Sequence, residues 1–177
     1  MTTDLAARVH SASHLTGSFV LRSGAVSGEY FDKYRFEADP ALLRDLAVAM
    51  AALLPTGTEV LAGLELGGVP LATALSLETG LPAAFVRKAA KDYGTCQLAE
   101  GAAVDGRQVV VVEDVVTSGG QVISSCGALR ERGAEIADVL CVVDREAGGE
   151  ARLLEAGLVL RPLFRASALR AAAAGEG

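Results

Sequence analysis

The spacing of apolar residues along the chain switches between a period of 3.6 and short continuous runs, which predicts helices alternating with strands. Leu5, Val9 and the alanines around them predict a helix over 4–14. Residues 17–22 and 30–36 read as two short strands joined by a glycine-bearing turn, a small β-appendage ahead of the main sheet. Asp39 as cap and Pro40 in the first turn start a helix with the stripe Leu42, Leu43, Leu46, Met50 and Leu53, which Pro55-Thr56-Gly57 stops. A strand over 59–63, a helix over 69–79 ended by Gly80, and a strand over 82–86 follow. Residues 109–112 are four valines in a row, a strand buried on both faces. Then come a helix from about 120 to 132, a strand over 136–143, a helix over 148–156, a strand over 158–164 and a helix over 166–174. Strands in alternation with helices argue for an α/β fold with a mainly parallel central sheet, in one domain.

The stretch with most chemistry is VVVVEDVVTSGGQV, residues 109–122. Glu113 and Asp114 stand where the strand should end, and Thr117-Ser118-Gly119-Gly120 forms a small polar turn before the helix. Carboxylates accept hydrogen bonds from ribose hydroxyls, and loop amides at a helix N-terminus cradle a phosphate, so the order describes a sugar-phosphate site. A Walker B strand would need a Gly-Lys-[Ser/Thr] loop, and a dinucleotide fold would need G-x-G-x-x-G opening a helix. The chain has neither.

Composition narrows the partners. A net charge of −6 over 177 residues argues against a nucleic-acid surface, so an anionic substrate must meet a local basic cluster. Arg87, Lys88 and Lys91 place three cations within five residues, at the start of a polar, weakly periodic segment over 89–101 that reads as a long loop. That run is either a solvated patch or a lid for a polyanion, and loops of this length favour the lid. The start of the chain shows no signal peptide, and no apolar stretch approaches the ~20 residues of a membrane helix. Cys96, Cys126 and Cys141 are widely spaced without C-x-x-C, which predicts reduced thiols and a cytoplasmic protein. His10 and His14 lie four apart on the first predicted helix; with no third ligand evident, packing or surface roles outweigh metal binding.

VVVVEDVVTSGGQV resembles the 5-phosphoribosyl-1-pyrophosphate (PRPP) motif of the type I phosphoribosyltransferases. The resemblance implies that Glu113 and Asp114 hold the ribose, and that Val115, Val116, Thr117, Ser118, Gly119, Gly120 and Gln121 form the phosphate-binding stretch. Three further segments resemble the orotate phosphoribosyltransferases. LRSGAVSGEYFDKYRFE is similar to their hood, which implies that Arg22, Tyr30 and Phe31 approach the base. R-K-x-x-K-D-Y-G at 87–94 resembles their flexible loop, R-K-x-x-K-D-H-G, which closes over a neighbouring subunit's site. Lys91 then takes the main catalytic position, together with Asp114 at the ribose, while Arg87, Lys88 and Tyr93 contact PRPP; Tyr93 replaces a histidine and adds no charge near neutral pH. Asp144-Arg145-Glu146 is similar to the D-R-x-E-like stretch that supplies an arginine to the base, which implies that Arg145, with Thr117, joins the orotate set, although a strand-end salt bridge is the plainer use of Arg145.

Glu65, Leu66, Gly67 and Gly68 match the loop that binds pyrophosphate through backbone amides, and Gly67 stands where some relatives have lysine. The charge that lysine would bring must come from residues elsewhere. The implied fold is a type I phosphoribosyltransferase core over about 39–177 with a small N-terminal β-hood over about 1–38. The implied activity is transfer of phosphoribose from PRPP to N1 of orotate, with Mg²⁺ held mainly through PRPP and not by a protein metal site, in a homodimer with shared active sites. Rival readings are a phosphoribosyltransferase for another base and a non-catalytic regulator that binds PRPP. The first does not need the 87–94 loop or Arg145, and the second wants a basic face that this chain lacks.

Overall fold

The computed structural model describes residues 2–20, 24, 26–88 and 98–175. Arg22, Lys91 and Tyr93 therefore lie outside the described residues, as does Cys96. Helix α1 (Thr2–Ser13) leads into a hairpin of β1 (His14–Val20) and β2 (Val26–Phe31), which pair antiparallel in a sheet of their own. The expected strand over 30–36 is corrected: it ends at Phe31, and residues 34–38 form a short helix, α2 (Tyr34–Ala38). The reason is burial. Phe36 is fully enclosed, with its ring centroid 6.5 Å from that of Phe31, while Tyr34 and Arg35 stay exposed, an arrangement one helical turn supplies and an edge strand does not.

Helix α3 (Pro40–Ala51) starts as expected, with the Asp39 carboxylate accepting from the amides of Ala41 and Leu42. The core sheet follows: β3 (Val60–Leu64), α4 (Gly68–Thr79), β4 (Ala83–Val86), β5 (Ala99–Gly101), β6 (Gln108–Val116), α5 (Gly120–Arg130), β7 (Glu135–Asp144), α6 (Gly149–Glu155), β8 (Val159–Arg165) and α7 (Ala166–Ala173). Two expectations change here. The end of the supposed long loop forms β5, which pairs antiparallel with β4, and β6 runs two residues past the acidic pair to Val116. His14 begins β1 and is not helical, although its ring still stacks on His10 with centroids 4.8 Å apart.

The strand order is β5-β4-β3-β6-β7-β8, parallel except for β5. Val109 and Val111 of β6 pack with Val122, Cys126, Leu129 and Leu153 of α5 and α6, while Val110 and Val112 pack with α1, α3, α4 and α7. Helices thus cover both faces, as the all-valine run of β6 requires. Among the described residues no helix is long and apolar enough to cross a membrane.

Where β3 turns into α4 the packing leaves no room for side chains. A Cβ on Gly68 would lie 2.2 Å from the carbonyl oxygen of Val112, and one on Gly63 would lie 2.5 Å from that of Gly68. The start of α4 is therefore pressed against the two central strands. Replacing Gly68 by alanine should destabilise the fold by about 1–3 kcal/mol, the usual cost of forcing a methyl into a filled site. Thermal unfolding reads this directly, and a melting temperature unchanged from wild type would show that the contact is loose.

Candidate active site

Four segments meet at the carboxyl ends of the parallel strands: 65–68 after β3, 87–88 after β4, 117–120 after β6 and 144–146 at the end of β7. The chain winds from β3 to β4 in one direction and from β6 to β7 and β8 in the other, so the crevice between β3 and β6 is the position where α/β sheets bind ligands.

The turn after β6 forms an anion cradle. Thr117 and Ser118 are exposed, Gly119 adopts a left-handed conformation with φ 72°, and α5 begins at Gly120 with no side chain capping its amides. A cavity of about 310 Å³ lies there, lined by Glu113 and residues 115–122. Its open amides and helix start suit a phosphate. Arg152 of α6, which sequence reasoning did not single out, braces the turn by donating from Nη1 to the carbonyl of Ser118 at 2.9 Å. Gly149 is needed beneath it, because a Cβ there would lie 2.4 Å from the carbonyl oxygen of Thr117. Gln121, also at the cavity, directs its amide to Ser125 Oγ at 3.3 Å.

The two acids of β6 have different surroundings. Glu113 lines the phosphate cavity, and its Oε1 accepts from the amide of Asp114. Asp114, with no exposed side-chain surface, pairs with Lys33, whose Nζ lies 2.7 Å from Oδ2 and 3.0 Å from Oδ1. The amide of Val115 donates to Oδ1 at 2.5 Å. Glu37 of α2 is buried beside them. Burial, with the charge of Asp114 beside it, pushes the Glu37 carboxyl up to about 8. Burial and Asp114 likewise push Glu113 up to about 9. Burial pulls the Lys33 ammonium down, but its hydrogen bond to Asp114 and that charge outweigh burial and leave it raised. Sequence reasoning missed Lys33 and Glu37 altogether.

Across the crevice, Glu65 Oε2 accepts from the amide of Lys88 at 3.1 Å and its own amide donates to the carbonyl of Val86 at 2.8 Å, so the ends of β3 and β4 are tied together. The exposed turn residue Leu66 leads to the buried Gly67 and Gly68, which leave the start of α4 bare of side chains.

A second cavity, of about 340 Å³, lies between the hairpin, α1, α7 and the end of β7. Tyr30, Phe31 and Arg145 line it, and the Arg145 guanidinium sits 5.8 Å from the centre of the Phe31 ring. Three residues expected at the base therefore come together, whereas Thr117 lines the phosphate cavity instead. The strand-end salt bridge that offered the plainer use of Arg145 is made by Arg165, which pairs with buried Asp144 at 3.3 Å and with Glu150 at 3.0 Å. Asp144 Oδ1 also accepts from the amide of Glu146 at 2.9 Å, and Glu146, with φ 57°, accepts from the amide and hydroxyl of Ser167. Both neighbours of Arg145 are thus anchored and its own side chain faces the cavity. Burial pushes the Cys126 thiol up to about 11 and the Cys141 thiol higher, so both stay protonated.

The phosphoribosyl transferase domain family matches residues 35–154, the span that carries the anion cradle after β6, the two acids and Arg145. An orotate phosphoribosyltransferase from a Nocardioides species is 54% identical over 174 residues, 97% of each chain. The structure of Mycobacterium tuberculosis orotate phosphoribosyltransferase in complex with Fe(III) dicitrate superposes with a TM-score of 0.87 at 32% identity, covering 95% of this chain and 98% of that one. The same enzyme in complex with PRPP gives 0.83 at 30% identity, covering 96% and 98%. The chain belongs to the orotate phosphoribosyltransferase family.

The raised carboxyls have a consequence for stability. Glu37 and Glu113 hold protons in the fold to about pH 8 and 9, against an ordinary value of 4.5. Their contribution is complete below about pH 4.5 and is lost as pH rises through the folded values, at up to roughly 1 kcal/mol per pH unit and proton. The melting temperature should therefore fall from pH 6 to pH 9, and Glu37→Gln should fall less and lie above wild type at pH 9. Parallel curves for the two proteins would show that Glu37 is ionised in the fold.

Proposed function

We infer that the protein transfers the 5-phosphoribosyl group of PRPP to N1 of orotate, releasing pyrophosphate and forming orotidine 5′-monophosphate for pyrimidine synthesis. The observation that supports this most is the pairing of the amide-lined cavity after β6 with a pocket that joins Tyr30, Phe31 and Arg145. The turn 117–121 binds the 5′-phosphate, and Glu113 and Asp114 orient the ribose. The base lies against the aromatic side chains, with its carboxylate gripped by the planar fork of Arg145.

As the C1–pyrophosphate bond breaks, positive charge builds on the ribose ring and N1 of orotate attacks from the opposite face. The protein's share is to hold both reactants in line and to neutralise the leaving group. Amides of 65–68, together with Arg87 and Lys88, meet the pyrophosphate, and Lys91 completes the charge from the 89–97 segment. Among the described residues no group of three or more His, Cys, Asp or Glu side chains is placed to hold a metal. A Mg²⁺ bound through the phosphate oxygens of PRPP would need few protein ligands and would supply charge neutralisation of the pyrophosphate. We place the enzyme in the cytoplasm as a homodimer whose 87–94 segment serves the partner's site.

Loss of orotate absorbance on adding PRPP and Mg²⁺ tests the activity; PRPP binding without that loss would favour another acceptor or a regulator. Arg145→Ala should raise the KM for orotate at least tenfold and that for PRPP far less, because one charged, bidentate contact is lost. Equal changes in both would remove Arg145 from the base site. Lys91→Ala should lower kcat on the order of a hundredfold, the usual worth of one preorganised charge contact in a closed site. Near-normal turnover would contradict the lid. Mixing the two variants should restore part of the activity if sites are shared between subunits, and no recovery would mean that each chain carries a self-contained site.

A further inference from the structure

The segment that joins the hairpin to the core carries two ionisable residues that the reaction as described does not use. Lys33 precedes α2 and Glu37 lies four residues on, so both present to the same side of that turn. Lys33 Nζ reaches both carboxylate oxygens of Asp114, at 2.7 and 3.0 Å, across 81 residues of sequence. Glu37 Oε1 and Asp114 Oδ2 are both buried, and neither has a hydrogen-bond donor, apart from the ammonium of Lys33 paired with Asp114. Both oxygens border the space left by Gly67: a Cβ there would lie 1.7 Å from Asp114 Oδ2 and 2.7 Å from Glu37 Oε1. Two carboxyl groups that meet without a donor between them are satisfied only when one keeps its proton. The groups that face Glu37 are Asp114, Lys33 and Asp32, and two of the three are acids.

We propose that Lys33 and Glu37 are positioning residues for the ribose-binding carboxylate Asp114: Lys33 clamps both of its oxygens, and Glu37 acts as a neutral acid that donates to it across the space left by Gly67. The inference rests on the reading of Asp114 as a ribose ligand. It gives the hairpin segment a part in binding the donor as well as the base. A carboxylate fixed in this way keeps its place in the wall of the ribose site without rearranging, so the effect falls on PRPP and not on orotate.

The test compares Lys33→Met, Lys33→Arg, Glu37→Gln and Glu37→Leu in the full chain. The PRPP dissociation constant is measured by calorimetry with Mg²⁺, and the KM for each substrate by orotate absorbance. Lys33→Met, which keeps the aliphatic stem, should weaken PRPP about tenfold or more and leave the KM for orotate within about twofold. Lys33→Arg should recover most of the loss. Glu37→Gln, still a donor, should bind PRPP within about twofold of wild type, while Glu37→Leu should weaken it about as much as Lys33→Met. Thermal unfolding of each variant shows that it is folded, and a variant that does not fold is replaced by its conservative partner in the comparison. Wild-type PRPP affinity in Lys33→Met, or Glu37→Gln as weak as Glu37→Leu, would overturn the proposal. A wild-type protein that binds PRPP but leaves orotate unchanged would defeat the acceptor reading alone, and the PRPP affinities of the variants would still decide this one.

Discussion

β3 and β6 run parallel at the centre of the sheet, and the chain leaves them in opposite directions. No helix can then lie across the carboxyl ends of this pair, so the crevice there stays open while both faces of the sheet are covered. The close approach of Gly63 and Gly68 to neighbouring backbone brings the start of α4 down onto this pair. The turn after β6 adds a second helix start at the same end of the sheet. Two helix N-termini and their free amides thus face one opening, which is how an acidic chain of net charge −6 can offer an anion a favourable place.

The acids in this opening are held in check by local balance. Among the described residues, Glu37, Glu113 and Asp114 cluster about one ammonium, that of Lys33. Desolvation makes three neighbouring negative charges untenable, and the proton on Glu37 and that on Glu113 resolve the conflict. What remains is one compensated charge at the end of β6. Gly67 is part of this balance: the lysine some relatives carry there would enter the space between Asp114 and Glu37, and here a cation arrives instead from the hairpin side.

Much of this architecture was legible in the residue pattern. The valine run of β6, the Asp39 cap and the glycine-bearing turns at 65–68 and 117–120 all act through local rules, and each appears where those rules place it. The failures are non-local. Alternating aromatic residues at 30–36 satisfy a strand pattern as well as one turn of helix, and only the enclosure of Phe36 against Phe31 decides between them. β5 is three residues long and exists because β4 has a free edge to pair with. Nothing local marks Lys33, since its partner lies 81 residues away. Arg165 took the salt bridge first imagined for Arg145 for the same reason: spacing along the chain cannot say which cation reaches a given strand end.

The triplet Asp144-Arg145-Glu146 divides its labour in a way that bears on how such a protein can change over generations. Asp144 and Glu146 are committed to Arg165, to the turn's own backbone and to the first turn of α7. Arg145 is tied to the fold through its main-chain amide, which donates to the carbonyl of Val116, and among the described residues its guanidinium lies over the ring of Phe31. The position can therefore exchange side chains while the loop around it keeps its shape. Under the proposed role of Arg145, acceptor preference becomes a trait that drifts or is selected one residue at a time, uncoupled from the inheritance of the fold.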